Sequence, residues 1–237
     1  MEEKLYKEKE RIEKLSQIRE LVFGAQDGLL VPLGVVSSVA GAFSNNHIVI
    51  VAGIAEALAG AFSMATGAYL ASQAERQVHE SEIKKEKQEL VAYPERERRE
   101  LALLFQKEGV EKKDSETVSK ILSKYEKSFF QTHAQKELGI DPEPAGTAIR
   151  DAYMIGLSYF FAALIPIAPY FFVSPKIAIV LSIGLTFIAL FIIGVLKGRV
   201  AKLPYIKSGL QVLIIGAGAG IGGYLLGVVL PHLLGIK

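Results

Sequence analysis

Five stretches of this chain stay apolar long enough to be considered together: residues 21 to 43, 48 to 71, 152 to 173, 177 to 196 and 208 to 230. Each runs for about 20 residues, the length at which a helix crosses about 30 Å of hydrocarbon. The last three carry no polar face, so a soluble bundle of amphipathic helices does not account for them. Between the second and third runs, from Arg76 to Asp151, the pattern becomes charged and helical. Breaks at Tyr93-Pro94, at Gly109 and at Gly139-Ile140-Asp141-Pro142 divide that segment into about three helices. The expected fold is an all-α membrane protein with five transmembrane helices and a three-helix insertion between helices 2 and 3. Its expected divisions are a charged N-terminal helix over 1–20, transmembrane helices 1 and 2 over 21–72, the insertion over 73–147 and transmembrane helices 3 to 5 over 148–237.

Charge adds a direction to this picture. The 237 residues sum to a formal net charge of +2, but the charged positions concentrate near the N-terminus and in the insertion. Lys4, Lys7, Lys9, Arg11, Lys14 and Arg19 precede the first run, and Lys197, Arg199, Lys202 and Lys207 follow the fourth. The link SNNH at 44–47 has no lysine or arginine, and VSPK at 173–176 has only Lys176. Because basic residues beside a span resist translocation, the N-terminus and the insertion are expected in the cytoplasm and the C-terminus outside. MEEKLYKEKERIEKLSQIRE has neither an apolar core nor a small-residue cleavage site, so these residues are not expected to act as a secretory signal. With no cysteine there is no disulfide framework and no thiolate, leaving the three methionines as the only soft ligands. Gly53, Gly60 and Gly67 repeat every seven residues along the second run, and GAGAGIGG from Gly216 spaces small residues similarly in the fifth. In lipid such stripes let helix backbones approach, so a compact bundle or dimer is expected.

Candidate chemistry lies where the apolar pattern is interrupted. Asp27 is the lone charge in FGAQDGLLVPLGVVSSVAGAF, and Glu56 is the lone charge in the second run. A carboxylate inside a membrane helix costs a few kcal/mol and usually marks an ion or proton path. At about 1.5 Å per helical residue, Asp27 and Met64 each fall about 24 Å from the outer surface, with Glu56 about 12 Å nearer to it. Glu13, Glu20 and Asp27 are spaced by seven, an acidic stripe leading inward from the cytoplasm. Oxygen ligands suit hard or borderline divalent ions and a thioether favours later ones, so Fe²⁺ and Mn²⁺ fit this set better than Ca²⁺ or Mg²⁺. In the insertion, Glu86 with Glu89 and Glu97 with Glu100 form i, i+3 pairs on either side of Pro94. Helices folded back at that proline would bring the pairs together, and His133 and Glu137, one turn apart, could complete a metal cluster. Glutamates beside lysines are equally ordinary on a solvated face, and spacing leaves both readings open.

The segments QDGLLVPLGVVSSVAGA and GIAEALAGAFSMATGAYLASQAE, the acidic pairs in EKQE and ERERRE, and KELGI before the third run resemble the vacuolar iron transporter family. The resemblance extends from Arg19 to the end of the fifth run. It implies a five-span homodimer whose translocation path lies at the subunit interface, lined by the first span of each copy, with a cytoplasmic helical domain that gathers metal. It also implies that Fe²⁺, and in some members Mn²⁺, is moved out of the cytoplasm in exchange for protons. Position by position, Asp27 and Met64 match the family's mid-membrane ligands, Glu56 its second membrane acid and Glu20 the acid at the cytoplasmic mouth. Glu86, Glu89, Glu97, Glu100 and Glu137 match the glutamates of the metal-binding domain. The chain departs from the pattern at His133 and Ala134, where the family often has two methionines, and at Ser16, where it has a further acid.

The expected function is that of a transmembrane transporter of divalent transition metal. Metal ligation requires deprotonated carboxylates, so an arriving cation would displace protons from Asp27 and Glu56, and an acidic exterior would return them and release the metal. The competing reading is a membrane-anchored metal sensor or scaffold, which has no need of buried ligands in its spans. An enzyme is not expected, because there is no cysteine nucleophile, no histidine-rich motif in the spans and no glycine loop for phosphate. Expected partners are membrane lipid, divalent metal ions, protons and a second copy of the chain, with no nucleic acid and no tightly bound cofactor. The expected location is the cell membrane in a prokaryote or the vacuolar membrane in a eukaryote.

Overall fold

The computed structural model describes residues 18–140 and 148–218, and among these every regular element is helical. In chain order they are α1 (Ile18–Ala42), α2 (Asn46–Ala92), α3 (Pro94–Lys107), α4 (Lys112–Leu122) and α5 (Glu126–His133), the last continuing as a π-helical turn over Ala134–Leu138. Then come α6 (Ala148–Ile167), extended by a 3-10 turn over Ala168–Phe171, and α7 (Pro175–Val200). Residues 205–218 are helical as well. Four helices, α1, α2, α6 with its turn, and α7, are long and apolar enough to cross a membrane. Residues 205–218 take up the start of the fifth expected span, and 219–230 lie outside the described residues, as do the charged segment before Ile18, with Glu13 and Ser16, and the Asp141-Pro142 break.

Contacts divide the chain into two compact units, Met1–Leu70 with Thr147–Lys237, and Ala71–Gly146. In the first, α1 packs along α6, and two glycines of α1 make the approach possible. A Cβ placed on Gly28 would fall on the backbone of Tyr159, and one on Gly24 would meet Ser158 Oγ and, at 2.5 Å, the Ile155 carbonyl. Lipid supplies no hydrophobic drive between helices, so close backbone contact of this kind is what holds them. Of the stripe on α2, Gly53 abuts Val36 and Ile167, and Gly60 lies under the Tyr159 ring, whereas a Cβ on Gly67 would meet no packing neighbour within 4 Å among the described residues. The buried centre is formed by Val36, Val49, Ala57, Tyr159, Ala163, Ile167 and Tyr170. Outward positions are apolar too, with Phe62 71%, Val180 69% and Ile214 67% exposed, an arrangement that lipid tolerates and water does not. At one end, Asn45 Oδ1 accepts the His47 amide at 2.9 Å and caps α2, while Asn46 Nδ2 donates to the Val173 carbonyl at 2.7 Å. The two short links are thereby tied to each other.

The second unit is built from helix ends. Pro94 occupies the first turn of α3, where its missing N–H is no loss, and the chain reverses at Tyr93. Gly109, at φ 97°, and Gly139, at φ 66°, terminate α3 and the π-helical turn in a left-handed conformation that favours glycine. One break was not expected: the stretch between Gly109 and Gly139, anticipated as a single helix, is interrupted after Leu122, with Tyr125 extended at φ −120° and ψ 91°. The reason lies in α3. Ser119 Oγ donates to the Arg98 carbonyl and His133 Nε2 to the Glu97 carbonyl. In a straight helix Ser119 and His133 would be about 21 Å apart along the axis, so reaching adjacent carbonyls requires the chain to fold back between them.

Candidate metal centre

Four side chains converge in the Ala71–Gly146 unit: Glu86 from α2, Glu97 from α3, His133 at the end of α5 and Glu137 in the π-helical turn. Each presents one potential ligand atom, all within 4.8 Å of one another. His133 Nδ1 is 2.9 Å from Glu86 Oε1 and 2.9 Å from Glu137 Oε2, and Nε2 is 3.7 Å from Glu97 Oε2. His133 and Glu97 are fully buried, and Glu86 is 4% exposed. Buried polar atoms are almost always hydrogen-bonded. Among the described residues, Glu86 Oε1, Glu97 Oε2 and His133 Nδ1 have no well-aligned hydrogen bond, although Nδ1 stands 2.9 Å from two carboxylate oxygens. Buried oxygen and nitrogen atoms of this kind, on side chains whose potential ligand atoms lie within 4.8 Å of one another, are what a cation site presents when its carboxylates and imidazole are the ligands.

The remaining acids expected at this cluster are placed differently. Glu89 Oε2 accepts from Arg96 Nη2 at 2.8 Å, and the same guanidinium grips Glu97 Oε1, also at 2.8 Å. Arg96 thus draws Glu89 into an ion pair and orients Glu97 so that its other oxygen points inward. Glu100 stays outside the group of four but lies close enough to Glu137 to raise its proton affinity.

In the membrane unit, Tyr159 of α6 donates its hydroxyl to Glu56 Oε1 at 2.5 Å. Among the described residues Glu56 Oε2 is buried without a hydrogen-bond partner, and Tyr159 is 2% exposed. Asp27 lies within electrostatic range of the same hydroxyl, and Met64 packs, half-buried, against the cluster that contains Tyr159. Glu20, at the start of α1, accepts from its neighbour Arg19 at 3.1 Å. Tyr159 was not among the residues read from the sequence. Its signal was there, because a phenol in a lipid-length apolar run must find a hydrogen-bond partner inside the protein.

The sequence profile described as the VIT family matches residues 18–228. The chain belongs to that family. It is 33% identical over 216 residues to "Vacuolar iron transporter 1" of Arabidopsis thaliana, an alignment covering 91% of this chain and 86% of that protein. It is 34% identical over 208 residues to "Vacuolar iron transporter 1" of Eucalyptus grandis, covering 87% and 84%. With "Vacuolar iron transporter" of Toxoplasma gondii the identity is 27% over 230 residues, covering 92% and 76%. A multi-pass membrane protein is what this membership and the four long apolar helices together describe.

Within this VIT-family chain the packing of the cluster makes its stability depend on pH. Burial, reinforced by the Glu137 carboxylate and only partly offset by His133, pushes Glu86 from 4.5 up to about 7. Burial also raises Glu137, with Glu100 adding to the effect. A carboxyl with a raised folded-state value holds its proton more tightly in the fold than in the unfolded chain. Its stabilising contribution is therefore complete below 4.5 and is lost as pH rises through about 7. The metal-free protein is expected to lose thermal stability across that window, and Glu86→Gln should flatten the trend. Circular dichroism melts at a series of pH values test this; a trend that persists undiminished in Glu86→Gln would assign it elsewhere. Divalent metal should also suppress it, because the ion takes the place of the proton.

Proposed function

We propose that this chain transports divalent transition metal across a membrane, moving Fe²⁺, and Mn²⁺ as a second substrate, out of the cytoplasm in exchange for protons. The single observation that carries the reading is Glu56, held by Tyr159 with one buried oxygen unsatisfied, in an apolar bundle that also contains Asp27. A protein that only anchored itself in lipid would bear the cost of such groups for no return. Membership of a family whose relatives are named vacuolar iron transporters supports the choice of metal as cargo. In this reading the chain has five spans, faces its N-terminus and the Ala71–Gly146 unit to the cytoplasm, and works as a dimer in which two copies of Asp27 double the charge offered to a cation. The ion, bound first by Glu86, Glu97, His133 and Glu137, passes to Asp27, Met64 and Glu56, with Glu20 at the mouth. Protons leave those carboxylates as metal enters and return from the more acidic side.

The test is uptake of Fe²⁺ and Mn²⁺ into proteoliposomes with and without a pH gradient, following metal and protons together. Coupled movement supports the proposal. Metal binding with no flux would favour the sensor reading, which the complete four-residue cluster in one unit also suits. A further expectation concerns Glu97→Gln combined with Glu100→Gln in the full-length protein. Loss of a buried ligand should weaken metal binding by at least the about 10- to 100-fold typical of outer-shell groups. Unchanged binding by calorimetry would remove Glu97 as a ligand and leave it as the buried partner of Arg96.

A further inference from the structure

The hydrogen bond from His133 to the main chain of α3 determines which ring nitrogen faces the carboxylates. A backbone carbonyl can only accept, so the 3.0 Å contact with the Glu97 oxygen requires Nε2 to carry a hydrogen. Nδ1 is then left facing Glu86 and Glu137. It lies 2.9 Å from an oxygen of each. That is the spacing of neighbouring ligands at right angles on one ion, about 3 Å apart for metal–ligand bonds of about 2.1 Å. A cation entering there takes the place of any proton on Nδ1. The Phe129 ring packs edge-on against the imidazole, with centroids 5.6 Å apart, and restricts its rotation.

We propose that His133, through Nδ1 and in a tautomer held by the Glu97 carbonyl, is the residue that sets the metal preference of this cluster. The inference rests on reading the cluster as a metal site. Three carboxylates alone make a site for ions such as Mn²⁺, Mg²⁺ and Ca²⁺; one neutral imidazole shifts preference toward Fe²⁺, Co²⁺ and Zn²⁺. The main-chain carbonyl acts as the outer-shell partner that fixes a ligating histidine and raises its basicity. His133 would therefore make the helical unit discriminate against Mn²⁺ before any ion reached Asp27.

The experiment uses the full-length protein in detergent, with Zn²⁺ and Mn²⁺ as redox-stable probes. Wild type should bind Zn²⁺ more tightly than Mn²⁺, and His133→Gln should narrow the ratio of the two affinities by about tenfold or more, the scale of a lost ligand-shell interaction. Ring-carbon shifts of ¹³C-histidine in the Zn²⁺-loaded wild type should report ligation at Nδ1, with His133→Met supplying the assignment among the chain's 4 histidines. An unchanged affinity ratio in His133→Gln, or zinc on Nε2, overturns the proposal while leaving the carboxylates as a metal site. If wild type binds neither ion, the reading of the cluster itself fails, and the preference falls with it. Should His133→Gln not fold, the shifts of the wild-type protein still decide the matter.

Discussion

Asp27→Asn is expected to abolish metal-dependent proton movement in proteoliposomes while leaving a folded protein. Asparagine keeps the size and hydrogen-bonding capacity of the side chain and removes only its charge and its exchangeable proton. If Asp27 were a structural polar residue, the amide would serve nearly as well, and folding would improve because no carboxylate is buried. If Asp27 binds the cation, its loss removes the charge that offsets the cost of taking a divalent ion into an apolar bundle, and no neighbour can replace it. Glu56 already serves the ion through its own free oxygen and cannot supply a second charge, and Met64 carries none. Flux at the wild-type rate in this variant would remove Asp27 as a ligand and with it the coupling proposed here.

The second large effect is structural. Gly28→Ala should destabilise the membrane unit by about 3 kcal/mol, the upper end of what overpacking a well-filled core costs, because the added methyl meets main-chain atoms of Tyr159 that cannot rotate away. The helices must separate, and that displaces the Tyr159 hydroxyl from Glu56, so transport should fall together with stability. Gly67→Ala provides the contrast. Among the described residues no packing neighbour lies within 4 Å of a Cβ there, and alanine is favoured over glycine inside a helix by about 1 kcal/mol, so this change should be neutral or stabilising. Thermal unfolding in detergent measures both. Equal losses at Gly28 and Gly67 would show that α2 has a neighbour at Gly67 beyond the described residues, whereas no loss at Gly28 would contradict the contact between α1 and α6.

Several features of this protein were legible one residue after another. The long apolar helices follow from uninterrupted hydrophobic length, and the helix ends at Pro94, Gly109 and Gly139 follow from residues whose own backbone chemistry stops a helix. Glu86, Glu97, His133 and Glu137 were identifiable as candidates because glutamates at helical spacing on both sides of a proline converge when the chain folds back. None of this required knowledge of distant neighbours.

Tertiary packing decided the rest. The break after Leu122 carries no glycine or proline, and exists because Ser119 and His133 both reach for carbonyls on α3. Arg96, whose sequence position beside Glu95 and Glu97 suggests a solvated charge run, takes Glu89 away from the cluster and turns Glu97 into it. Tyr159 became the partner of Glu56 only because Gly60 and Gly28 leave room for its ring and backbone. In each case the outcome depends on which atoms meet through space. Local pattern records the propensity of a segment to be a helix or to sit in lipid; the partner of a buried oxygen or ring nitrogen is set by the closest approach of helices that the sequence separates by many residues.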